Sequence, residues 1–408
     1  MTAEAIHLNR GFYAPRFVIE VDGKRSDGSD STAIEPHVIR DVLEVTFEDS
    51  LDEFESFEFT LADWDPKLNA PKYSSPYDEG GAARKDGAGN PIPAFEPGML
   101  AKLSIGYYGP EDPVVKLVGT IVTVTPSFPE SGMPVVKVRV ISTLFQLQHK
   151  QVTQEFVDQT DTAIAQSLAD ELGIGVATPA GQAAGETPQA FTMLNNEYPV
   201  RFLARRARLL GYDLVMLPAP PPELGVSVSG GNANEPVLFF GPSGVSSPSY
   251  ELAWGKTLTH FNLSVRIKDQ VNKVQLRATN PTAKGAERDI LAEATLDDLG
   301  LEFPDPKLLD SVKGALAKTE EVVVDQPAKT QAEADAKALG ILRDRVKDMV
   351  TAEGGTIGFP NLRAGGTVAV TGIGPRFSGL WVLTKTTHRI DSSGYRTTFS
   401  ARLQGKLP

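Results

Sequence analysis

The sequence contains no cysteine. That single absence removes disulfides, thiolate zinc sites and cysteine nucleophiles together. Histidine is scarce: five residues, at His7, His37, His149, His260 and His388, are scattered along 408 positions. No His-Glu-x-x-His pair of zinc ligands occurs. No stretch approaches the ~18 consecutive apolar residues of a membrane span. The start, Met1 to Asn9, carries Glu4 and lacks the apolar core of a secretory signal, so synthesis in the cytoplasm is expected. A basic excess is also missing. Lys and Arg total 40 against 52 Asp and Glu, a net charge of −12, which argues against specific nucleic-acid binding.

Catalytic motifs are missing as well. Neither a Gly-x-Ser-x-Gly elbow nor a Walker-type phosphate loop occurs. Gly372-Ile373-Gly374 is followed by Pro375 and sits between strands, so it fails the dinucleotide context. Ser26-Asp27-Gly28-Ser29-Asp30-Ser31 resembles part of a calcium loop but lacks the closing Glu, and reads as a turn. Asp297-Asp298 and Glu320-Glu321 read as solvated loop charges. His388 reads as structural. Nothing singles out a carboxylate pair among 52 acids. No catalytic, cofactor-binding or metal-binding residue is assigned, and no cofactor is expected.

What is present is mostly strand. The chain length fits about two to four domains. Leu43, Val45 and Phe47 alternate with Glu44, Thr46 and Glu48. Phe57, Phe59 and Leu61 do the same, as do Val136, Val138 and Val140. Period 2 puts one face of each strand on a core and the other on water or a wet interface. A Gly-, Pro- and Ser-rich stretch at 66–98 reads as a long loop, either on the surface or as an ordered partner-binding arm.

The middle of the chain switches to helical period. Asp161 caps a helix carrying Ile164, Leu168 and Leu172, stopped by Gly173. A second helix runs from Tyr198 to Leu210, with Val200, Leu203, Ala207 and Leu210 as its buried stripe. Arg201, Arg205, Arg206 and Arg208 crowd the rest, either as a grip for phosphate or carboxylate or as a solvated face of ion pairs. Tyr212 to Leu217 reads as a strand. Pro218 to Pro222 and Ser227 to Asn234 are breaks. Later, Phe261, Leu263, Val265 and Ile267 alternate, followed by Val274, Leu276 and Ala278. Thr330 to Val350 is the clearest helix, with Ala332, Ala336, Leu339, Leu342, Val346 and Met349 in one stripe and a Glu333/Lys337 pair.

The end of the chain echoes its first third. Gly98 opens a strand ending at Gly106; Gly119 leads into Thr120 to Val124; a third strand centres on Val136 to Val140. Gly366, Gly379 and the strand from Tyr395 repeat this order, with Gly119 matched to Gly379. Two related β-barrel-like domains in one chain are expected, and a trimer of such chains would present six similar units.

The order of several segments completes the reading. They include Phe57-Glu58-Phe59-Thr60-Leu61, the run from Gly98 to Tyr107, and Leu117-Val118-Gly119-Thr120-Ile121. Val200 to Ala207 with Leu210-Gly211-Tyr212, Trp254-Gly255, Leu362-Arg363-Ala364-Gly365, Phe377-Ser378-Gly379 and Gly394 to Phe399 follow. This order resembles the late control protein D family of contractile-tailed phages and the hub part of VgrG spike proteins, over residues 17 to 404. The resemblance implies a mainly β fold with α/β insertions (α+β), two related β-barrel-like tube domains and a pseudo-sixfold trimeric ring. The domains would be a first hub domain at 1–147 with its loop at 66–98, an α/β insertion at 148–250, and a second hub domain at 251–408 with a helical insertion near 327–352. The implied role is a structural, non-enzymatic baseplate hub of a phage tail or contractile injection particle. It would join a sixfold inner tube to a threefold central spike and nucleate tube assembly. Its partners would be two more copies of itself, the spike, a tube or tube-initiator protein, baseplate wedge proteins, and a tape measure or cargo in an acidic lumen. The spike is expected to be a separate polypeptide. A carbohydrate-binding tail β-protein and a tail-associated peptidoglycan hydrolase are the alternatives.

Overall fold

The computed structural model describes residues 4–5, 14–21, 34–109, 112–171, 173–182, 186–217, 226–231, 236–243, 249–280, 288–324, 328 and 330–406. His7, the Ser26 to Ser31 turn, Leu172, the Pro218 to Pro222 break and residues 232–234 lie outside them.

The first sheet unit uses β2 (Pro15–Val21), β3 (Val42–Ser50), β4 (Ser56–Ala62), β5 (Leu100–Tyr107), β6 (Val114–Ser127) and β7 (Val135–Ser142), after a short β1 (Glu4–Ala5). The spatial order is β3-β4-β7-β6-β5-β2. The sheet rolls around Val45, Phe47, Phe57, Phe59, Leu61, Val136, Val138 and Val140, all at or below 1% exposed. Leu43 departs from the expected alternation. It is the extra residue of a bulge between Val42 and Glu44 and lies exposed, because a bulge re-aims one side chain.

The loop after β4 is ordered. Asp63 Oδ1 accepts from the backbone N–H of Lys72, Tyr73 and Ser74, and Asp65 accepts from those of Lys67, Leu68 and Gly87. Tyr73, Ile92 and Phe95 pack into the unit's own core. The segment therefore covers its own unit rather than extending as an arm. Tyr73, Ile92 and Phe95 are spent on local burial.

The second unit uses β14 (Tyr250–Ala253), β15 (Leu258–Val265), β19 (Val350–Ile357), β20 (Thr367–Thr371), β21 (Gly379–Asp391) and β22 (Gly394–Lys406). Its order is β15-β19-β22-β21-β20-β14. This is the strand order of the first unit, with β14, β15, β19, β20, β21 and β22 in the places of β2, β3, β4, β5, β6 and β7. Two pairs of bulges fix the equivalence. Val122 is extra between Ile121 and Thr123 of β6, and Thr384 is extra between Leu383 and Lys385 of β21. Leu43 is extra in β3 and Thr259 in β15, each opposite the same register of its neighbour. The backbone N–H groups of Gly98 and Gly365, both at positive φ, donate at 2.8 Å to the carbonyls of Ile121 and Leu383.

This equivalence corrects the glycine matching. Gly98 corresponds to Gly365 rather than Gly366. Gly119 corresponds to Trp381, two residues beyond Gly379. A two-residue slip keeps every side chain on its face, which is why the alternation alone did not expose it. Gly119 also lies within β6 rather than at its entry. A Cβ there would stand 2.1 Å from the Ile141 carbonyl oxygen, so the residue permits a close strand approach.

The units differ from the expected barrels. Among the described residues neither closes. In the first, β2 and β3 are opposite edges that do not pair. The outer edge of β3 instead takes the distal half of β21, from Lys385↔Ser50 to Ile390↔Val45. The two units are thereby fused side by side into one 13-stranded sheet. β1 adds in parallel to β14, and β14 in parallel to β20, where β2 meets β5 antiparallel.

Two modules are inserted. The first carries β8 (Val152–Phe156), β9 (Gly175–Pro179), β10 (Thr192–Glu197), β11 (Tyr212–Leu217), β12 (Val226–Ser229) and β13 (Val237–Pro242). Its sheet runs β11-β13-β9-β12. After the short α1 (Pro36–Ile39) near the start of the chain, this module adds α2 (Asp161–Asp170) and α3 (Pro199–Leu210). Thr160, not Asp161, caps α2: its hydroxyl accepts from Ala163 N. Val200, Leu203 and Ala207 of α3 are buried and Gly211 ends it at φ 71°. The second module holds β16 (Lys273–Thr279), β17 (Asp289–Thr295), β18 (Glu320–Val323), α4 (Pro306–Leu316) and α5 (Gln331–Val346). Thr330 caps α5, and Lys337 reaches Glu333 at 2.6 Å. The early part of its buried stripe is Ala334 and Ala338 rather than Ala332 and Ala336. Packing on β16 and β17 selects a step of four residues that continues through Leu342 and Val346. Glu320 and Glu321 lie in β18 rather than in a loop, and Arg345 holds Glu321 at 2.7 Å.

Candidate functional site

The most extended feature of the chain is the outer face of the fused sheet. The inward positions of β3, β4, β7, β21 and β22 are buried and mostly apolar, with Asp49, Thr386, His388 and Thr397 as polar exceptions, and period 2 leaves polar residues on the other side. One row of cross-strand neighbours runs Arg396, Arg389, Thr46, Glu58, Arg139, Thr123 and crosses the junction between the units without a break. Glu44, Glu48, Lys137, Lys385 and Glu353 share this face. Lys137 meets Glu58 at 3.4 Å, Lys385 meets Glu48 at 3.6 Å and Arg389 meets Glu44 at 3.1 Å. Exposed pairs of this kind add little stability. They balance charge. The face carries both signs, because Lys and Arg alternate there with Glu.

Beneath the junction lies a buried polar cluster. Asp49, at the end of β3, accepts from Arg363 Nε at 3.1 Å, from Ala364 N at 3.1 Å and from the Thr386 hydroxyl. Arg363 also donates to the carbonyls of Lys116 at 2.8 Å and Met216 at 3.2 Å. Lys116 is 0% exposed and donates to Pro360 O at 2.6 Å and Leu362 O at 3.2 Å. Lys116 Nζ and the Arg363 guanidinium lie over the Phe47 ring, at 5.1 and 5.4 Å from its centroid. Asp49 and Lys116 come from the first unit, Met216 from the inserted module and Arg363 from the second unit. The cluster therefore ties three parts of the chain together.

Burial sets its protonation. Lys116 is held well below the usual lysine range, by desolvation first and by Arg363 second. His388 is driven well below its ordinary value, again by burial and then by Lys116, so it is neutral. Its Nε2 lies 2.9 Å from the Leu362 carbonyl and must donate there. Nδ1 then accepts from the Tyr395 hydroxyl at 2.7 Å. Burial raises Tyr395 well above its ordinary value, which keeps that proton on oxygen. Glu55 is pushed up to about 7, chiefly by burial. Arg363, 3.6 Å away, opposes the shift, but desolvation exceeds it. This arrangement joins the two sheet units and the inserted module.

The arginines of α3 are paired within the chain. Arg206 meets buried Asp161, Arg205 meets Glu197 at 2.6 Å, Arg208 meets Asp52 at 3.3 Å, and Arg201 lies over the Tyr198 ring. Three of the four form ion pairs, and Arg201 makes a ring contact. A cleft of about 290 Å³ lies between α3, α5 and β22. It is lined by both signs of charge, including Arg343, Asp344, Arg402 and Asp213. Asp297 meets Lys313 at 2.6 Å. Among the described residues no group of His, Asp and Glu could hold a metal ion, and no helix is long and apolar enough to cross a membrane.

Reading the sequence missed the buried cluster. Its one outward sign was charge inside otherwise apolar strands, at Lys116 between Val115 and Leu117 and at Asp49 after Phe47.

No family model matches the sequence, and no curated protein sequence matches it. Solved structures do. A 43 kDa tail protein of prophage MuSo2 from Shewanella oneidensis is similar at TM-score 0.63 and 16% identity, over 95% of this chain and 98% of that one. A tail protein from Neisseria meningitidis MC58 is similar at TM-score 0.62 and 12% identity, over 96% and 97%. The Escherichia coli c3393 protein is described as a component of the type VI secretion system with structural similarity to the T4 bacteriophage tail proteins gp27 and gp5. It is similar at TM-score 0.51 and 13% identity, over 96% and 79%. The chain has the fold of phage tail proteins, along nearly its whole length.

Proposed function

We propose that the chain is a structural baseplate hub, a trimeric symmetry adaptor between a sixfold inner tube and a threefold central spike. The observation that carries this reading is the pair of equivalent six-strand units set side by side in one sheet. A threefold axis acting on a chain with two similar units gives six similar units around a ring. One face of that ring can follow sixfold symmetry while the inserted modules, which differ from each other, keep to threefold. The names of the structural neighbours, tail proteins and a type VI secretion component, support the same role.

The uncovered polar face would line the ring's opening. Its partners would be two further copies, the spike, the first tube ring and wedge proteins, with a tape measure or cargo passing through the centre. The chain would be made in the bacterial cytoplasm and incorporated into a tail or injection particle. It would act without catalysis: Arg402 meets Asp213 in the cleft and Arg363 meets Asp49 in the buried cluster. A carbohydrate-binding reading gains no support, since the exposed aromatics Tyr77, Tyr108, Phe128, Phe191 and Trp254 lie in five different connecting segments.

Light scattering on the purified protein tests the proposal. A mass of three times 43.8 kDa is expected. A chain that stays at 43.8 kDa, alone and when mixed with the tube and spike proteins of a contractile tail, refutes it.

A further inference from the structure

The first inserted module carries a two-stranded ribbon whose outer face is uncovered among the described residues. β8 and β10 pair antiparallel, with Leu194 opposite Gln154, Met193 opposite Glu155 and Thr192 opposite Phe156. The pairing continues beyond β8 in the same register. The Asp158 N–H donates to the Ala190 carbonyl at 3.4 Å, and Gln159 bridges Gln189. Phe191 therefore stands opposite Val157. Alternation splits the ribbon into two faces. Phe156 and Leu194 point inward, 2% and 0% exposed, and the Phe156 ring stacks 6.2 Å from that of Phe202 in α3. Val157, Phe191 and Met193 point outward, 59%, 52% and 39% exposed. Opposite residues of such a pair have Cβ atoms ~4.5–5.5 Å apart, so the three side chains form one patch.

The charge beside the patch is of one sign. Glu155 lies opposite Met193 and Asp158 follows Val157. Both are exposed, and neither makes an ion pair among the described residues. Lys150 precedes β8 at the ribbon's other end, ~23 Å from Val157 along the strand. At that end Glu197 is taken up by Arg205 at 2.6 Å. Resting on the hub reading, we infer that the outer face of the β8–β10 ribbon docks a segment of another tail protein, one that presents apolar side chains flanked by Lys or Arg.

The side chains fit this occupant. Aromatic residues and Met are enriched at the cores of protein interfaces, and charged residues belong to the rim. Phe191, Met193 and Val157 with Glu155 and Asp158 beside them have that anatomy. Met193 can reshape itself to a partner. The backbone beneath is already fixed by Phe156 and Leu194, so docking orders little more than three side chains. Charge selects among the possible occupants. Two copies meeting through this face would set Glu155 and Asp158 of one against the same residues of the other. Nucleic acid and anionic lipid would be repelled by the same carboxylates. A basic, apolar protein segment buries the patch and neutralises its rim.

Binding of the purified chain to the tube, spike and wedge proteins of its own tail, each titrated separately by biolayer interferometry, tests the inference. Phe191→Ser with Met193→Ser should weaken one of these complexes by about 30-fold or more, the loss typical of an interface hot spot. The other complexes, the thermal midpoint and the mass by light scattering should stay at the parent's values, because both side chains are exposed. Glu155→Lys leaves the apolar patch intact and reverses one rim charge. It should weaken the same complex by about tenfold at ~0.1 M salt and only slightly at ~1 M, where screening shortens the reach of a charge from ~10 to ~3 Å. A complex that Glu155→Lys strengthens overturns the basic occupant. A trimer whose binding to every one of these proteins is the same in parent and variants, absent binding included, overturns the docking face and leaves the hub standing. A chain that stays at 43.8 kDa and binds none of them overturns both.

Discussion

Glu55 makes the buried junction sensitive to pH in a direction that can be worked out. Its folded value is raised from the ordinary 4.5 to about 7. The folded state therefore holds a proton that the unfolded chain has already released. Stability from this group is fully present below pH ~4.5 and is lost as pH rises through about 7. At ~1.4 kcal/mol per unit, the raised value costs on the order of 1 kcal/mol at pH 5 and on the order of 3 kcal/mol at pH 8. Glu55→Gln keeps the shape of the neutral side chain and cannot ionise. Urea unfolding, followed through the buried Trp381, should show the variant gaining on the parent by about 2 kcal/mol between pH 5 and pH 8. Comparing the two proteins cancels the other titrating groups. A gap that stays flat across this range would refute the reasoning, and a gap that narrows would show that Arg363 outweighs burial.

Other consequences of the packing are as direct. Arg363→Met strands Asp49 and three carbonyl or carboxylate partners in the interior, and should cost about 3–5 kcal/mol in the same urea assay. Gly340→Ala would gain about 1 kcal/mol in an isolated helix. Here its Cβ would stand 2.3 Å from the Leu209 carbonyl oxygen, so α3 and α5 must separate. A net loss of about 1–3 kcal/mol is expected, read as a lowered thermal midpoint. Asp63→Ala removes the acceptor that gathers Lys72, Tyr73 and Ser74. Limited trypsin digestion should then cut at Lys67, Lys72 or Arg84 well before the intact protein is cut, and equal cleavage rates would contradict the anchoring role.

Much of this fold was legible because its signals are local. Phe57, Phe59 and Leu61, and likewise Val136, Val138 and Val140, announce strands by alternation. Val200, Leu203 and Ala207 with Gly211 announce a helix and its end. The repeated unit was legible too, through glycine spacing, although the true register is set by bulges at Val122 and Thr384. A bulge is invisible in a pattern that merely alternates.

What could not be read is non-local. The pairing of β3 with β21 depends on an edge left open by one unit and a strand of the other long enough to reach it. Lys116 and Asp49 look like interruptions of their strands until Arg363 arrives from the far end of the chain. The loop after β4 has the composition of a mobile segment, yet Asp63 and Asp65 supply the acceptors that order it. The expected barrels failed for the same reason: closure is a property of which edges meet, not of any one strand.

The central claim is that two equivalent units per chain become six around a threefold axis. End-on class averages of the purified protein, imaged from its main light-scattering peak, test it most directly. The account predicts a ring with an open centre whose rotational power is strong at both threefold and sixfold orders. Particles with no ring, or a ring with twofold, fourfold or fivefold order, would contradict it.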